Sequence, residues 1–242
     1  METDESMKKR AESFGSVADD YDRLRPGYPT ALFDDLLTAA GAPSSGMIRV
    51  MEERLRDEGL ADRVTVRERR FDDLTTADGP FGVVVAAQSF HWADRQTRWH
   101  RLVELLTPGG LAFLFWNGWI LDPQVHDLAR VSKVYEGCGG GLVPDVADHR
   151  GHGGWTQREI RDEPLLERAE QRTYTWSWRL AVDDYLGLLA TTSQYAVTPP
   201  EAIGQLFGRL RPVLGEHVSL AGSTLLLTTR RVDAKTGGAR PS

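Results

Sequence analysis

The residue best suited to acid–base chemistry is His91, which follows the apolar run Val83–Ala87 within the sequence Ser-Phe-His-Trp. An imidazole titrates near neutral pH, so His91 could act as a general base that takes a proton from a hydroxyl or carboxyl group. The alternative is a packed imidazole that fixes the loop after a strand. The residue types favour packing, because a general base needs a geometry that the sequence does not define.

Aromatic and histidine residues elsewhere offer fewer chemical roles. Tyr21, Tyr28 and Trp92 either line a ligand pocket or cover an edge of the fold with their amphipathic rings. His149 and His152 are three residues apart in a Gly-rich stretch that supplies no further ligand types. A zinc site needs three or four such ligands, so no metal site is predicted.

Alternating strands and helices must position these residues. Residues 62–71 alternate apolar and charged side chains, which is typical of a strand with one exposed face. Val83–Ala87 and residues 111–117 are continuous apolar runs, as expected of buried strands, and a helix is predicted over 95–106 between them. This alternation predicts an α/β fold with a mostly parallel sheet.

The second half of the chain has a looser pattern. The predicted elements are a helix over 122–137, a strand over 172–178, two helices over 181–195 and 198–215, and a strand over 223–232. We interpret 1–242 as one domain with a helical cap at 181–218, and expect 1–12 and 233–242 to be disordered.

Composition restricts the class of protein. The net charge of −6 provides no broad basic surface and argues against nucleic acid as a partner. The longest apolar runs are too short to span a bilayer, so no membrane partner is expected. The single cysteine, Cys138, excludes an internal disulfide and fits a reducing compartment, which predicts a cytoplasmic protein.

Three passages together carry a family resemblance. They are Tyr-Asp-Arg-Leu-Arg-Pro-Gly-Tyr-Pro at 21–29, Phe-Gly-Val-Val-Val-Ala-Ala-Gln-Ser-Phe-His-Trp at 81–92 and Leu-Leu-Thr-Pro-Gly-Gly-Leu-Ala-Phe-Leu-Phe-Trp-Asn at 105–117. In order and spacing they resemble class I S-adenosylmethionine-dependent methyltransferases, in the small-molecule branch that includes the trans-aconitate type. The resemblance implies a Rossmann-like fold and S-adenosylmethionine as cofactor.

The resemblance also implies roles for individual residues. His91 becomes the candidate catalytic residue. Substrate contacts in this branch often come from the late helices, so Ser193 and Tyr195 become candidate substrate contacts. The implied cofactor-binding residues are Tyr21, Arg25, Tyr28, Phe71, Asp72, Ala87, Gln88 and Trp92.

The chain departs from the family pattern near its N-terminus. The family places a strand, a Gly-x-Gly-x-Gly turn, a helix and a second strand after the first helix, and a βαβ unit needs about 30 residues. Here only the six residues 41–46 separate the predicted helices 30–41 and 47–58. A truncated sheet of about five strands is therefore expected, in which residues 62–71 pair with Val83–Ala87 or a homodimer covers the exposed edge.

Two functions from different classes follow. The first is a methyltransferase that transfers a methyl group to an oxygen or nitrogen of a small molecule. The second is a methyltransferase-like binding or regulatory protein without catalysis. For the first, the absence of the Gly-rich turn weakens cofactor binding, because contacts to the ligand from backbone amides and from a ribose-binding carboxylate are lost together. The second predicts no cofactor binding.

Overall fold

A computed structural model describes residues 23–28, 56–57, 59, 67, 69–138, 142 and 153–232. The predicted helix over 30–41 lies outside the described residues, as does nearly all of the predicted helix over 47–58. Of the predicted strand over 62–71, residues 62–66 and 68 lie outside as well. The predicted pairing of that strand with Val83–Ala87 therefore stays a prediction.

The described strands form one sheet in the order β1-β2-β4-β3. The strands are β1 (Phe81–Ala87), β2 (Leu106–Leu121), β3 (Glu170–Ala181) and β4 (His217–Arg230). β1 is parallel to β2, whereas β2–β4 and β3–β4 are antiparallel. The parallel arrangement expected for the sheet thus applies to β1 and β2, and the described sheet as a whole is mixed.

Helices connect the strands and cover the sheet. They are α1 (Arg98–Leu105), α2 (Leu128–Cys138), α3 (Gly153–Ile160), α4 (Val182–Ala190), α5 (Ser193–Ala196) and α6 (Pro200–Leu214). Short 3₁₀ turns occur at Phe71–Asp73 and Phe90–Trp92. The α/β class and the Rossmann-like architecture are confirmed. Helices α4–α6 lie within residues 181–218, and the division of the chain into one domain with a cap there stays a prediction.

The parallel pair forms because β1 and β2 are joined by a helical crossover. Trp99, Leu102 and Val103 are buried on one side of α1 at helical spacing and pack towards the sheet. In the register, Val83 pairs with Leu111 and Ala87 with Phe115. The carboxyl ends of both strands therefore meet at the same edge, where α/β proteins bind ligands.

Alternation along β2 sends successive side chains to opposite faces of the sheet. Trp116 packs with Leu114 in the core beneath α1 and α3. Phe115 belongs to the cluster on the other face, where Tyr28 also packs. Asn117 lies on the same face as Phe115, because the two are separated by one residue. The face of the sheet on which a β2 side chain lies therefore decides which residues it can meet in a site.

Helix α3 was not predicted from the sequence, and a buried ion pair fastens it to α1. Glu159 accepts hydrogen bonds from Arg98 Nη2 at 2.5 Å, Arg95 Nε at 2.8 Å and Trp99 Nε1 at 2.9 Å. Arg98 is only 4% exposed, and its guanidinium stacks 4.0 Å from the Trp155 ring centroid. A buried guanidinium requires this carboxylate, since an uncompensated charge is costly.

The loop after β2 is held by a neutral histidine. His126 Nε2 accepts the Ser219 backbone N–H at 2.9 Å. Burial lowers the pKa of His126 below its usual value of 6.5, and the nearby Asp122 carboxylate opposes this shift. The hydrogen bond uses the ring lone pair, so it exists only while His126 is unprotonated.

One close approach on the antiparallel half of the sheet requires glycine. Trp176 of β3 lies across Gly222 of β4, and a Cβ at Gly222 would stand 2.3 Å from the indole ring. The same indole donates to Thr224 Oγ1 at 3.1 Å. The missing side chain at Gly222 therefore sets the position of Trp176.

No helix in the described ranges is both long and apolar enough to cross a bilayer.

Candidate active site

A cavity of about 190 Å³ opens where the carboxyl ends of β1 and β2 meet the segment Arg25–Tyr28. Its lining residues are Arg25, Pro26, Tyr28, Ala87, Gln88, Asn117 and Trp119. The position matches the edge at which open α/β sheets bind ligands. Small-molecule sites usually enclose about 300–1,000 Å³, so the described walls enclose one part of a ligand or one small molecule.

Gln88 forms the turn that ends β1 at the cavity. Its φ is 52°, in the left-handed region that non-glycine residues rarely adopt. Two hydrogen bonds hold it there: its backbone N–H donates to Phe115 O at 2.9 Å, and its side-chain amide donates to Asn117 O at 3.0 Å. Such a conformation costs about 1–3 kcal/mol and tends to occur at functional sites.

Asn117 connects the sheet to the N-terminal segment. It is 6% exposed, and its amide nitrogen donates to the carbonyl oxygens of Pro26 and Gly27, each at 3.3 Å. Its Oδ1 accepts from Thr224 Oγ1 at 2.6 Å, and Thr224 in turn accepts from Trp176. We call these three side chains, Trp176, Thr224 and Asn117, the polar relay. The relay fixes the wall of the cavity to two strands of the sheet.

Arg25 joins the same segment to the helical region. Its Nε and Nη2 donate to Thr191 Oγ1 at 3.1 Å and to Thr191 O at 3.2 Å, just beyond α4. The guanidinium also lies 5.2 Å from the centre of the Trp119 ring, in a cation–π contact. On the opposite side, Tyr28 meets Phe115 edge to face at 4.8 Å. The segment therefore has three independent attachments.

Trp119 differs from the other lining residues. It is 7% exposed, and its indole N–H has no hydrogen-bond partner among the described residues. Buried polar groups are almost always paired, so a buried unpaired donor in a cavity wall indicates a missing acceptor.

Comparison of the chain with known proteins finds similarity to methyltransferases. A family profile described as a methyltransferase domain matches residues 39–110. Uncharacterized methyltransferases of Mycobacterium tuberculosis and Mycobacterium bovis are 24% identical over 239 residues, covering 90% of this chain and 92% of theirs. The solved structure of a candidate type II methyltransferase from Anaeromyxobacter dehalogenans shares the fold, with a TM-score of 0.52 and 22% identity over 86% of this chain and 99% of that one.

The chain is similar to methyltransferases in part of its sequence and in its fold. The comparisons agree with the resemblance found in the sequence and with the prediction of an S-adenosylmethionine-dependent enzyme.

The fold brings four of the predicted cofactor residues into one cavity: Arg25, Tyr28, Ala87 and Gln88. They come from segments about 60 residues apart in the chain, and the sheet register unites them. Their contact with the cofactor stays a prediction. Tyr21 lies outside the described residues.

His91 and Trp92 lie elsewhere in the structure. His91 Nδ1 accepts the indole N–H of Trp116 at 3.2 Å, and the rings of His91 and Trp92 are 4.7 Å apart. Trp116 points to the face opposite that of Asn117, and neither His91 nor Trp92 lines the cavity. A neutral imidazole that accepts at Nδ1 carries its proton on Nε2, so it has no lone pair left to act as a base. The geometry favours the packing role.

Phe71 and Asp72 support the turn that carries His91. Phe71 packs against Phe90 at 5.5 Å, and Asp72 Oδ1 accepts the Asp94 backbone N–H at 3.0 Å. Hydrogen bonds from the Gln96 backbone and the Thr97 hydroxyl hold the pKa of Asp94 below its usual 3.8. Neither Phe71 nor Asp72 lines the cavity.

The predicted substrate contacts lie in the core of the helical region. Tyr195 is 1% exposed, and its hydroxyl is 2.7 Å from that of Tyr135. Phe207 packs beside it, with ring centres 5.9 Å apart. Tyr195 therefore supports the cap and does not line the cavity. The backbone of Ser193 begins α5, and the position of its side chain lies outside what the structure describes.

Asn117 and Trp119 were missed in the sequence reading. The signal was present, because a polar residue and a tryptophan follow a continuous apolar run at the carboxyl end of a predicted parallel strand. Their partners, Pro26 and Arg25, are about 90 residues away, and sequence spacing does not reveal such contacts.

A larger and more open groove of about 630 Å³ lies along the antiparallel half of the sheet. Arg23, Trp178, Asp184 and His217 are among its lining residues, and Arg23 pairs with Asp184 at 3.5 Å. It lies away from β1 and lacks the unpaired donor of the smaller cavity. Within the described ranges, no cluster of three or more His, Cys, Asp or Glu side chains could hold a metal ion. His149 and His152 lie outside those ranges.

Proposed function

We propose that this methyltransferase transfers a methyl group to an oxygen or nitrogen of a small molecule, and that the transfer occurs in the cavity between β1, β2 and residues 25–28. The observation that carries the proposal is the position of the cavity. It lies at the carboxyl ends of the parallel pair, and an N-terminal segment closes it through three sets of side-chain contacts.

The residues present fit one end of S-adenosylmethionine. The unpaired N–H of Trp119 and the positive charge of Arg25 suit an anionic or hydrogen-bond-accepting group, and the cavity volume suits only part of the cofactor. Tyr28, Ala87 and Gln88 would complete this wall. When bound, S-adenosylmethionine supplies an electrophilic methyl group attached to sulfur.

The chain's own contribution is positioning and exclusion of water. Asn117 holds the carbonyl groups of Pro26 and Gly27, and Gln88 fixes the end of β1, so the walls are rigid before a ligand enters. Holding two reactants in line is sufficient to accelerate a direct displacement. A carboxylate acceptor would need no general base, which agrees with the packed role of His91.

The small cavity and the net charge of −6 support a small-molecule acceptor and argue against nucleic acid. We propose a cytoplasmic location from the single cysteine. Among the described strands β1 pairs with β2 only, so a homodimer through this edge is proposed as well, and the molar mass in solution tests it.

Calorimetric titration with S-adenosylhomocysteine tests the proposal. We expect binding in the micromolar to submillimolar range, weakened by the absent Gly-rich turn. Formation of S-adenosylhomocysteine from S-adenosylmethionine is then followed with a panel of small hydroxy, carboxy and amino compounds. No binding at millimolar concentration would contradict the proposal and support the non-catalytic alternative.

The control is Trp178→Phe, which changes a tryptophan of β3 outside the cavity. It should bind S-adenosylhomocysteine as the parent does, whereas Asn117→Leu should weaken binding because the wall at residues 26–27 loses its support.

A further inference from the structure

Among the described tryptophans, Trp99, Trp116 and Trp119 are fully buried, and Trp176 is half-buried. Trp99, Trp116 and Trp176 each donate the indole N–H to a side-chain acceptor at 2.9–3.2 Å. Trp119 is equally buried and has no acceptor among the described residues. Of the three fully buried indoles within the described ranges, only that of Trp119 lacks an acceptor, and Trp119 lines the cavity.

The other polar groups of the cavity indicate what the missing acceptor is. The side-chain amides of Gln88 and Asn117 already donate to backbone carbonyl groups. Arg25 brings a positive charge to within 5.2 Å of the Trp119 ring, and no lining residue is a carboxylate. A negatively charged group that accepts a hydrogen bond would satisfy the indole and be attracted by the guanidinium.

We propose that the Trp119 N–H is a ligand-binding donor that holds a carboxylate of a small molecule in this cavity. The inference rests on the proposed function and specifies the chemistry of its site. The carboxylate belongs either to the amino acid end of S-adenosylmethionine or to the methyl acceptor. Both sources have the same chemistry at Trp119, and the experiment separates them.

The test is a titration of the ¹⁵N-labelled protein followed through its tryptophan indole N–H signals. The Trp119 signal is identified by its absence in Trp119→Phe, or by triple-resonance assignment if that variant does not fold. Four probes are added separately: S-adenosylhomocysteine, 5′-methylthioadenosine, which lacks the amino acid end, acetate, and acetamide as the neutral counterpart of acetate.

A downfield shift of the Trp119 signal with S-adenosylhomocysteine but not with 5′-methylthioadenosine assigns the carboxylate to the cofactor. A shift with acetate in the presence of S-adenosylhomocysteine, and none with acetamide, assigns it to the acceptor. In either case Trp119→Phe should lower the affinity for the ligand about 10- to 100-fold, as expected for losing a hydrogen bond to a charged group. Trp178→Phe should leave the affinity unchanged.

The proposal is overturned if S-adenosylhomocysteine perturbs other signals while the Trp119 signal responds to no carboxylate, or if acetamide moves it as far as acetate does. If S-adenosylhomocysteine does not bind at all, the proposed function fails, but the acetate and acetamide titrations still decide whether Trp119 takes an anion. The two failures are therefore distinguishable.

Discussion

Thr224→Val tests whether the polar relay holds the cavity wall. Valine has nearly the shape of threonine, so the change removes the hydroxyl at a fully buried position with little change in packing. Two hydrogen bonds are lost, one donated to Asn117 at 2.6 Å and one accepted from Trp176 at 3.1 Å. Each contributes about 1 kcal/mol, and the indole N–H that is left unpaired adds a further penalty.

We expect Thr224→Val to lower the free energy of unfolding by about 2–4 kcal/mol. For a chain of this size that corresponds to a melting temperature lower by roughly 5–12 °C. Thr224→Ser is the matched control, because it keeps the hydroxyl and loses one methyl group, at a cost of about 1 kcal/mol. Chemical denaturation at pH 7.5 measures both variants.

The relay also predicts a local effect. Without its support from Thr224, Asn117 should hold the carbonyl groups of Pro26 and Gly27 less tightly, so hydrogen exchange over residues 23–28 should accelerate in Thr224→Val and not in Thr224→Ser. Equal destabilisation by the two variants, or unchanged exchange in this segment, would refute the relay.

Three further predictions concern the scaffold. Glu159→Ala leaves the Arg98 charge buried and unpaired and should cost about 3–5 kcal/mol in a denaturant titration, whereas Glu104→Ala, at the exposed contact with His100, should cost under about 1 kcal/mol. Stability should decrease as the pH falls below about 6.5 because protonated His126 loses its hydrogen bond and its native pKa is lowered; a His126→Gln variant that keeps the same slope in this range would contradict that origin. Gly222→Ala should displace the Trp176 indole, which would be detected as a change in near-ultraviolet circular dichroism. An unchanged spectrum would show that the backbone of β4 shifts instead.

The sequence predicted the α/β alternation because local patterns determine it. The helical spacing of α1 and the apolar run in β2 report burial directly. The equally apolar run Val83–Ala87 was expected to be buried, but in β1 residues 83–86 are only half-buried and Ala87 is exposed. The family resemblance then placed Arg25 and Gln88 together, although they lie about 60 residues apart. Helix α3 escaped prediction because Glu159 and Arg98 stabilise it through a contact over 61 residues.

The remaining site residues depend on strand pairing, which a sequence does not state. Asn117 reaches Thr224 because the antiparallel register of β2 and β4 sets them side by side. The residue type of His91 suggested a general base. In the structure, however, Trp116 lies on the face of β2 opposite the cavity, and its indole donates to His91. Residue type alone does not separate a reactive imidazole from a packed one.

The adjacency of Trp116 and Asn117 makes β2 a strand that serves two compartments at once. Trp116 lies in the hydrophobic core under α1, and Asn117 faces the cavity. Inserting or deleting a single residue upstream in this strand would exchange the two, driving an amide into the interior and an indole into the chamber. A length change of one residue in β2 is therefore tolerable only where a register irregularity absorbs it, as between the pairs Phe81–Leu106 and Val83–Leu111, and proteins of this architecture should vary in the connecting loops instead.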